Sequence, residues 1–374
     1  MSKAKGEVHV AHLTSVHPPF DTRIFHKECR SLADAGYTVS LVVPHTHDEL
    51  RDGVNVLAVP LAASRLKRMF LTPLTVAWKA LKLRADVYQF HDPELIPVGL
   101  LLRLLGRKVV YDVHEDVPLD LLQKTYLPRR AAVLLSHVVR RLHWLADRAL
   151  SGIVVVTPGV AESFRDPVMV RNFPLLHEFS EPGPKYEDRA EVAVYVGALG
   201  PVRGTRQMVD AARISARVDG RHLALAGVIR DDPHLQACLA ADPPDDAIRY
   251  LGVLDRPEVR HLLGSARMGL FLSLPEDLNL YAAYPNKVFE YMAAGIPVVA
   301  SDFPVLREIV GETGCGLLVD PTDVEAIAQA MDWLFDHPDE AGEMGRRGRE
   351  LVLERYNFSG EVAELDRLYR RLCS

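Results

Sequence analysis

Short runs of valine, leucine and isoleucine alternate along the chain with longer stretches whose apolar residues recur every three or four positions. Runs of four to six suit strands buried on both faces of a parallel sheet, and the longer stretches suit helices that cover it. In the first half the pattern predicts strands over 8–13, 38–43, 54–59, 86–90, 108–112 and 153–156. Helices separate most of them, for example 22–35, where Ile24, Phe25, Leu32 and Ala35 recur near the helical period. A second series is predicted over 192–196, 222–226, 248–251, 268–272, 297–300 and 316–319, followed by helices over 324–335, 339–355 and 359–372.

Between the two series Pro174, Pro182, Gly183 and Pro184 punctuate a charged stretch poor in apolar residues. Such punctuation predicts a linker over 174–190. The first domain is then 1–173 and the second 191–355, with a C-terminal helix over 356–374 that packs back on the first domain. Strand and helix alternation in both halves gives an α/β fold class, two tandem Rossmann-like doubly wound domains facing a cleft. Ligands of such sheets bind outside the carboxyl ends of the strands, which favours a nucleotide or nucleotide-sugar enzyme, although fold alone fixes no reaction.

Composition narrows the class. Of 374 residues 48% are hydrophobic and 25% charged, which excludes a disordered or low-complexity chain. The longest apolar stretch, 96–105, is interrupted by Arg103 and is shorter than the roughly 20 residues a membrane-spanning helix needs. Residues 1–7 are polar, and the apolar residues after them are broken by His9, His12 and Thr14, so this start reads as a buried first strand and not a signal peptide. Cys29, Cys238, Cys315 and Cys373 are far apart, without metal-knuckle or disulfide spacing, which fits a reducing cytoplasm. The net charge of −6 conceals an asymmetry: residues 1–187 carry 24 basic and 20 acidic side chains, the remainder 20 and 30.

The segment richest in chemistry is 284–301, YPNKVFEYMAAGIPVVAS. Pro285 suits the first turn of a helix, where its missing N–H costs nothing, and leaves the amides of Asn286, Lys287 and Val288 pointing outward. Such a helix start attracts phosphate. Lys287 places a positive charge where the helix dipole is already positive, an arrangement that favours a bound anion. One turn further, Glu290 is positioned to accept hydrogen bonds from ribose hydroxyls.

This segment resembles the nucleotide-sugar motif of the family 4 retaining glycosyltransferases, in the branch reading P-N-K-x-F-E-Y-M-A-x-G-x-P-V-V. HPPFDTRIFHKECRSLADAGYTVSLV, VYQFHDPEL, VVYDVHEDVP, VRNFPL and VYVGALGPVRG agree with it in order, so the likeness spans nearly the whole chain. The resemblance implies the fold called GT-B and transfer of a sugar, most often from UDP, to an acceptor hydroxyl with retention of configuration. It implies no metal or other cofactor: protein cations and helix dipoles stabilise the departing diphosphate. Carried over residue by residue, Glu290 is the last Glu of the Glu-x7-Glu motif and binds donor ribose, whereas the first falls at Ala282. Glu276 or Asp277 are substitutes for it from the same loop. Of two basic residues that clamp the diphosphate, one is replaced by Ala198 after Gly197, and the other falls at Arg203 before Gly204. Arg203, Lys287 and His114 are thus the catalytic candidates, His114 reaching the donor sugar near its 6-hydroxyl and anomeric centre. His91, Asp92 and Glu115 are candidates for the sugar or acceptor pocket. Asp21 and Arg23 join them because the glycine-rich loop of many relatives is replaced by Phe20-Asp21-Thr22-Arg23, where Arg23 would serve a charged acceptor or the phosphates.

Plainer roles fit the same residues. Lys287 and Glu290 also suit a surface ion pair, Arg203 a helix-opening surface residue, and His114, His91 and Asp92 hydrogen-bonded turns. Two further functions stay in view, a degenerate scaffold that binds a nucleotide or sugar without catalysis, motivated by Ala282 and Ala198, and a dinucleotide oxidoreductase, disfavoured by the lack of G-x-G-x-x-G after the first strand. The acidic total disfavours nucleic acid as a partner. Between 61 and 150, however, 15 basic residues face 8 acidic ones. Stretches 64–84 and 128–148 mix Lys and Arg with Leu, Val, Met and Trp at helical spacing, which suits either core helices with solvated basic faces or peripheral contact with an anionic membrane. An acceptor in polysaccharide or cell-envelope synthesis is the default for this branch, a small specialised metabolite the alternative; oligomeric state is not encoded in any pattern found.

Overall fold

Valine dominates the strand interiors, where its branched side chain suits an extended, doubly covered backbone. In a computed structural model, which describes residues 8–374 apart from 63, 124–126, 180–182, 217, 219, 242–244 and 277–283, these runs assemble into two sheets. The chain divides into two α/β units, one of residues 1–172 with 358–374 and one of 173–357.

Unit 1 contains β1 (His9–Leu13), β2 (Thr38–Pro44), β3 (Glu49–Arg51), β4 (Val54–Val59), β5 (Val87–Phe90), β6 (Lys108–Val113), β7 (Gly152–Val155) and β8 (Val168–Met169). Their order is β3-β4-β2-β1-β5-β6-β7-β8, parallel except for β3 against β4. The central strands β1, β5 and β6 are almost wholly buried, and their carboxyl ends bring His12, His91 and Asp112 together. Helices Arg65–Leu83, Ile96–Leu104 and Arg129–Ala149 cover one face through Val76, Ala80, Ile96, Leu102 and Ala146.

Unit 2 contains β9 (Val192–Val196), β10 (His222–Ala226), β11 (Ile248–Tyr250), β12 (Met268–Phe271), β13 (Val298–Ser301) and β14 (Gly316–Val319). All pair in parallel, in the order β11-β10-β9-β12-β13-β14. The switch between β9 and β12 is where such a sheet opens a crevice.

Two expectations are corrected, and two strands are added. Residues 174–190 are no free linker: Leu175 and Phe179 are buried, Leu176 and Tyr186 pack on the core of unit 2, and the Tyr186 hydroxyl donates to the Arg267 carbonyl at 2.7 Å. Proline and glycine break the helical period of this charged stretch, yet its few apolar residues suffice to seat it. Strand β3 has no apolar run to reveal it, and β8 is two residues long within the short run 167–170. The predicted helix over 22–35 is wound in π fashion over Thr22–Cys29 before the α-helical Arg30–Asp34.

The final helix, Phe358–Cys373, belongs to unit 1. It is fastened by hydrogen bonds from the Tyr37 hydroxyl to Asp366 and from the Tyr369 hydroxyl to Gln89, both 2.6 Å. Where the chain leaves unit 1, Lys27 Nζ donates to the Asn172 carbonyl and side-chain oxygens at 2.8 and 2.7 Å, and Glu361 accepts from the Arg171 amide at 2.6 Å. Among the described residues no helix is long and apolar enough to cross a membrane.

Candidate functional site

In unit 2 the chemistry gathers behind the carboxyl end of β9. Gly197 follows the strand with φ +152°, and a Cβ there would collide with Lys287 Cε and lie 2.5 Å from its Nζ. Only glycine lets this ammonium lie directly against the backbone. Gly204, with φ +71°, ends the tight turn Pro201–Arg203 and opens helix Thr205–Ser215; a Cβ there would overlap the Leu272 carbonyl.

The motif helix spans Asn286–Ala293. Pro285 is its cap, in extended conformation, and not its first helical residue. The tight start closes with a hydrogen bond from the Val288 amide to the Pro285 carbonyl at 3.0 Å, so Asn286 and Lys287 supply the outward amides and Val288 does not. Burial lowers the pKa of Lys287; nearby Glu290 opposes this, while Arg203 and Arg256 push it further down. A desolvated ammonium with two guanidiniums close by, at a helix start, is a site that an anion would relieve.

Glu290 is held by a residue that the sequence pattern did not single out. Arg256, at the start of helix Arg256–Ser265, donates to Glu290 Oε1 from Nη1 at 2.7 Å and pairs with Glu178 through Nη2. Glu178 lies within the stretch expected to be linker, and its partner is 78 residues away, so no local signal joins them. Beside Gly197 lies a cavity of about 300 Å³ lined by Ala198, Gly227, Val228, Arg230, Val253 and Leu254. This pocket was also not anticipated; it is assembled by loops following three different strands. Ala282 and Asp277 lie outside the described residues, and Glu276 is exposed at their edge.

In unit 1 the strand ends build a buried polar cluster around Asp112. Arg23 donates to both of its oxygens, Nη2 at 3.0 and 3.2 Å and Nε at 3.4 Å, and Nε lies 3.1 Å from Glu28. Oδ2 also lies 3.1 Å from His91 Nδ1 and 2.9 Å from His114 Nε2. Burial opposes charge on both carboxyls. Arg23 and His114 nevertheless hold Asp112 well below the usual carboxylate range, whereas burial and Asp112 itself drive Glu28 well above it. Asp112 therefore carries the negative charge, and it orients the imidazoles. His91 donates from Nδ1 to Asp112, leaving Nε2 to accept from His12 Nδ1 at 3.0 Å. Burial keeps both neutral, lowering His12 well below its usual value and His91 to about 4. His114 donates from Nε2 and is the partly exposed member, so in its neutral form Nδ1 is the acceptor that remains.

Several first-domain expectations change accordingly. Arg23 is not placed to meet a charged acceptor or phosphate, because its guanidinium is buried against two carboxyls. Asp21 caps the helix start, accepting from the amides of Arg23 and Ile24 at 2.9 Å. His91 is enclosed between its neighbours. Asp92 is buried too, accepting from Thr14 Oγ1, the Ser15 amide and His17; burial opposes its charge, but His17 and these donors bring it down to about 2. Both are buried among these hydrogen-bond partners and shape the site from within. Glu115 is exposed. Glu28, His91, Asp112 and His114 have ligand-type atoms within 4.8 Å of one another, as do His45, His47 and Glu49. In the first set the Arg23 guanidinium already occupies the place of the positive charge.

Replacing Asp112 by Asn leaves Arg23 and two imidazole N–H groups facing a neutral oxygen, and is expected to destabilise the protein by about 3–5 kcal/mol, as for other broken buried ion pairs. Denaturant unfolding measures this, and a loss below about 1 kcal/mol would refute the central role of this carboxylate. His91 takes up a proton near pH 6.5 when unfolded but near 4 when folded, so its contribution is complete above pH 6.5 and disappears as pH falls toward 4. The thermal midpoint should decline over that window, and His91→Asn should flatten the decline.

Residues 22–173 match the family described as glycosyl transferase 4-like domain, and residues 178–351 match glycosyl transferases group 1. The MMP alpha-(1->4)-mannosyltransferase of Mycolicibacterium hassiacum is 28% identical over 321 residues, which take in 81% of this chain and 76% of that protein. Sucrose-phosphate synthase from Thermosynechococcus elongatus shares the fold with a TM-score of 0.74 at 17% identity, over 98% of this chain and 99% of that one. HepE of Anabaena, solved in complex with UDP and glucose, shares it with a TM-score of 0.69 at 14% identity, over 96% and 99%. With both family domains in tandem, each on a sheet whose central strands are parallel, the chain belongs to the family 4 glycosyltransferases of the GT-B fold.

Proposed function

We propose that this glycosyltransferase takes a sugar from a nucleoside diphosphate, UDP foremost, and transfers it to an acceptor hydroxyl with retention of configuration and without a metal. The observation that carries the reading is the Lys287 ammonium seated against Gly197 at the start of the Asn286–Ala293 helix, beside the cavity behind β9. The diphosphate would meet Lys287, Arg203 and the amides of Asn286 and Lys287; the ribose would meet Glu290, which Arg256 holds in place; the base would enter the cavity. Cations preorganised around the leaving diphosphate stabilise charge that grows as the glycosidic bond breaks, which is commonly the largest catalytic contribution. The helix dipole acts in the same direction. These groups can supply the charge compensation that a metal provides in other transferases.

The family resemblance assigns contact with the donor sugar to His114, whose ring is set by Asp112 so that Nδ1 is left to accept from a hydroxyl. Retention then follows the route implied by the family resemblance, front-side attack through an oxocarbenium-like ion pair, and no covalent nucleophile is required of His114. For the acceptor, the family resemblance favours a hydroxyl in polysaccharide or cell-envelope synthesis, with a small specialised metabolite as the alternative.

Calorimetric titration of metal-free protein with UDP, GDP and dTDP tests the donor half. One of the three should bind without metal, and Glu290→Ala should weaken it by about tenfold, the value of a lost charge-assisted hydrogen bond. Unchanged affinity would remove Glu290 from ribose recognition, and no binding of any diphosphate would favour a non-catalytic scaffold. Arg203→Ala should lower turnover more than affinity, and chelators should leave turnover unchanged.

A further inference from the structure

The helices on one face of the first sheet are apolar on the side turned away from it as well. In Arg65–Leu83, Thr72, Val76 and Ala80 are buried at intervals of four. Phe70, Leu74 and Trp78, also at intervals of four, lie on the opposite side of the helix and are exposed. Ile96–Leu104 and Arg129–Ala149, which pack on the same core, continue the pattern with Leu104, Leu134 and Val138. Exposure of these six runs from 47% for Val138 to 85% for Leu104. Solvated basic faces account for the Lys and Arg of these helices; they do not account for this apolar surface.

The charge of the same three helices says what could cover it. They carry Arg65, Lys67, Arg68, Lys79, Lys82, Arg103, Arg129, Arg130, Arg140, Arg141 and Arg148, against Asp147 as their one acidic residue, in a chain of net charge −6. Both exposed tryptophans are topped by a cation, Lys82 at 3.4 Å from the Trp78 ring and Arg148 at 4.0 Å from Trp144. Aromatic rings paired with long basic side chains are suited to a boundary that is apolar below and anionic above. A second copy would set like charge against like charge. Nucleic acid would satisfy the cations and leave Phe70, Leu74 and Leu134 in water.

We infer that this face of unit 1 docks on an anionic lipid surface, the apolar side chains entering the headgroup boundary and the Lys and Arg residues meeting lipid phosphates. The contact is peripheral, since no helix of the described residues can span a bilayer. It is independent of the donor chemistry proposed for unit 2.

Co-sedimentation with phosphatidylcholine vesicles, with and without a third of phosphatidylglycerol, tests it. The protein should bind the anionic vesicles and be released by high salt, and Leu74→Glu/Trp78→Glu should weaken partitioning by about tenfold or more. Leu353→Glu, an exposed apolar position in unit 2, should leave partitioning unchanged. Brominated phosphatidylglycerol should quench tryptophan fluorescence in the unmodified protein, a readout that does not depend on any variant folding. Equal binding to neutral and anionic vesicles, or absence of both binding and quenching, overturns the inference. So does self-association, measured by ultracentrifugation, that the double substitution abolishes.

Discussion

A carboxylate with no access to water must find its counter-charge inside the protein, and Asp112 finds it in Arg23. That requirement fixes the geometry around it. Arg23 is carried by the π-wound turn after β1, His91 by the end of β5, and Asp112 and His114 by the end of β6 and the loop beyond it. Glu28 extends the network to Gln89, which donates to it at 2.8 Å, and Gln89 in turn accepts from Tyr369 on the last helix of the chain. The polar groups that select one arrangement of three strand ends also recruit a helix more than 250 positions away in sequence.

The two units use charge in opposite ways. Around Asp112 the ions are compensated internally, and only His114 remains partly open. At the start of the Asn286–Ala293 helix Arg256 is paired with Glu290 and Glu178, while Lys287 is depressed by burial and by the nearby Arg203 and Arg256. The first arrangement resists change and suits the fixing of an imidazole; the second holds a desolvated ammonium beside two guanidiniums and suits the binding of an anion. Glycine is the device that permits the second, because any side chain at Gly197 would push the ammonium away from the backbone.

The exposed face of the first unit adds a third kind of surface. Its apolar residues repeat with the same interval of four as the buried ones, half a turn round, so the helices are amphipathic toward two apolar environments at once. A solvated helix needs only one such face. The basic residues of the same helices set the sign of what this face meets.

Much of this was legible in the residues alone. Period and punctuation located strands of both sheets, since short uninterrupted runs of valine and leucine suit them, and β4, β9, β10 and β14 fall where the pattern put them. The PNKVFE segment announced a helix start with a cation and a carboxylate one turn apart, because cap, dipole and spacing are local properties. Other features are products of long-range approach. That Arg23 is spent on Asp112, that Asp92 and His91 are enclosed, that Arg256 and Glu178 hold Glu290, and that three loops enclose a pocket beside Gly197 all depend on strands adjacent in the sheet but distant in the chain. Sequence determined which groups were available and on which elements they ride; tertiary structure decided which charges meet, because pairing and burial are set by distance and not by order along the chain.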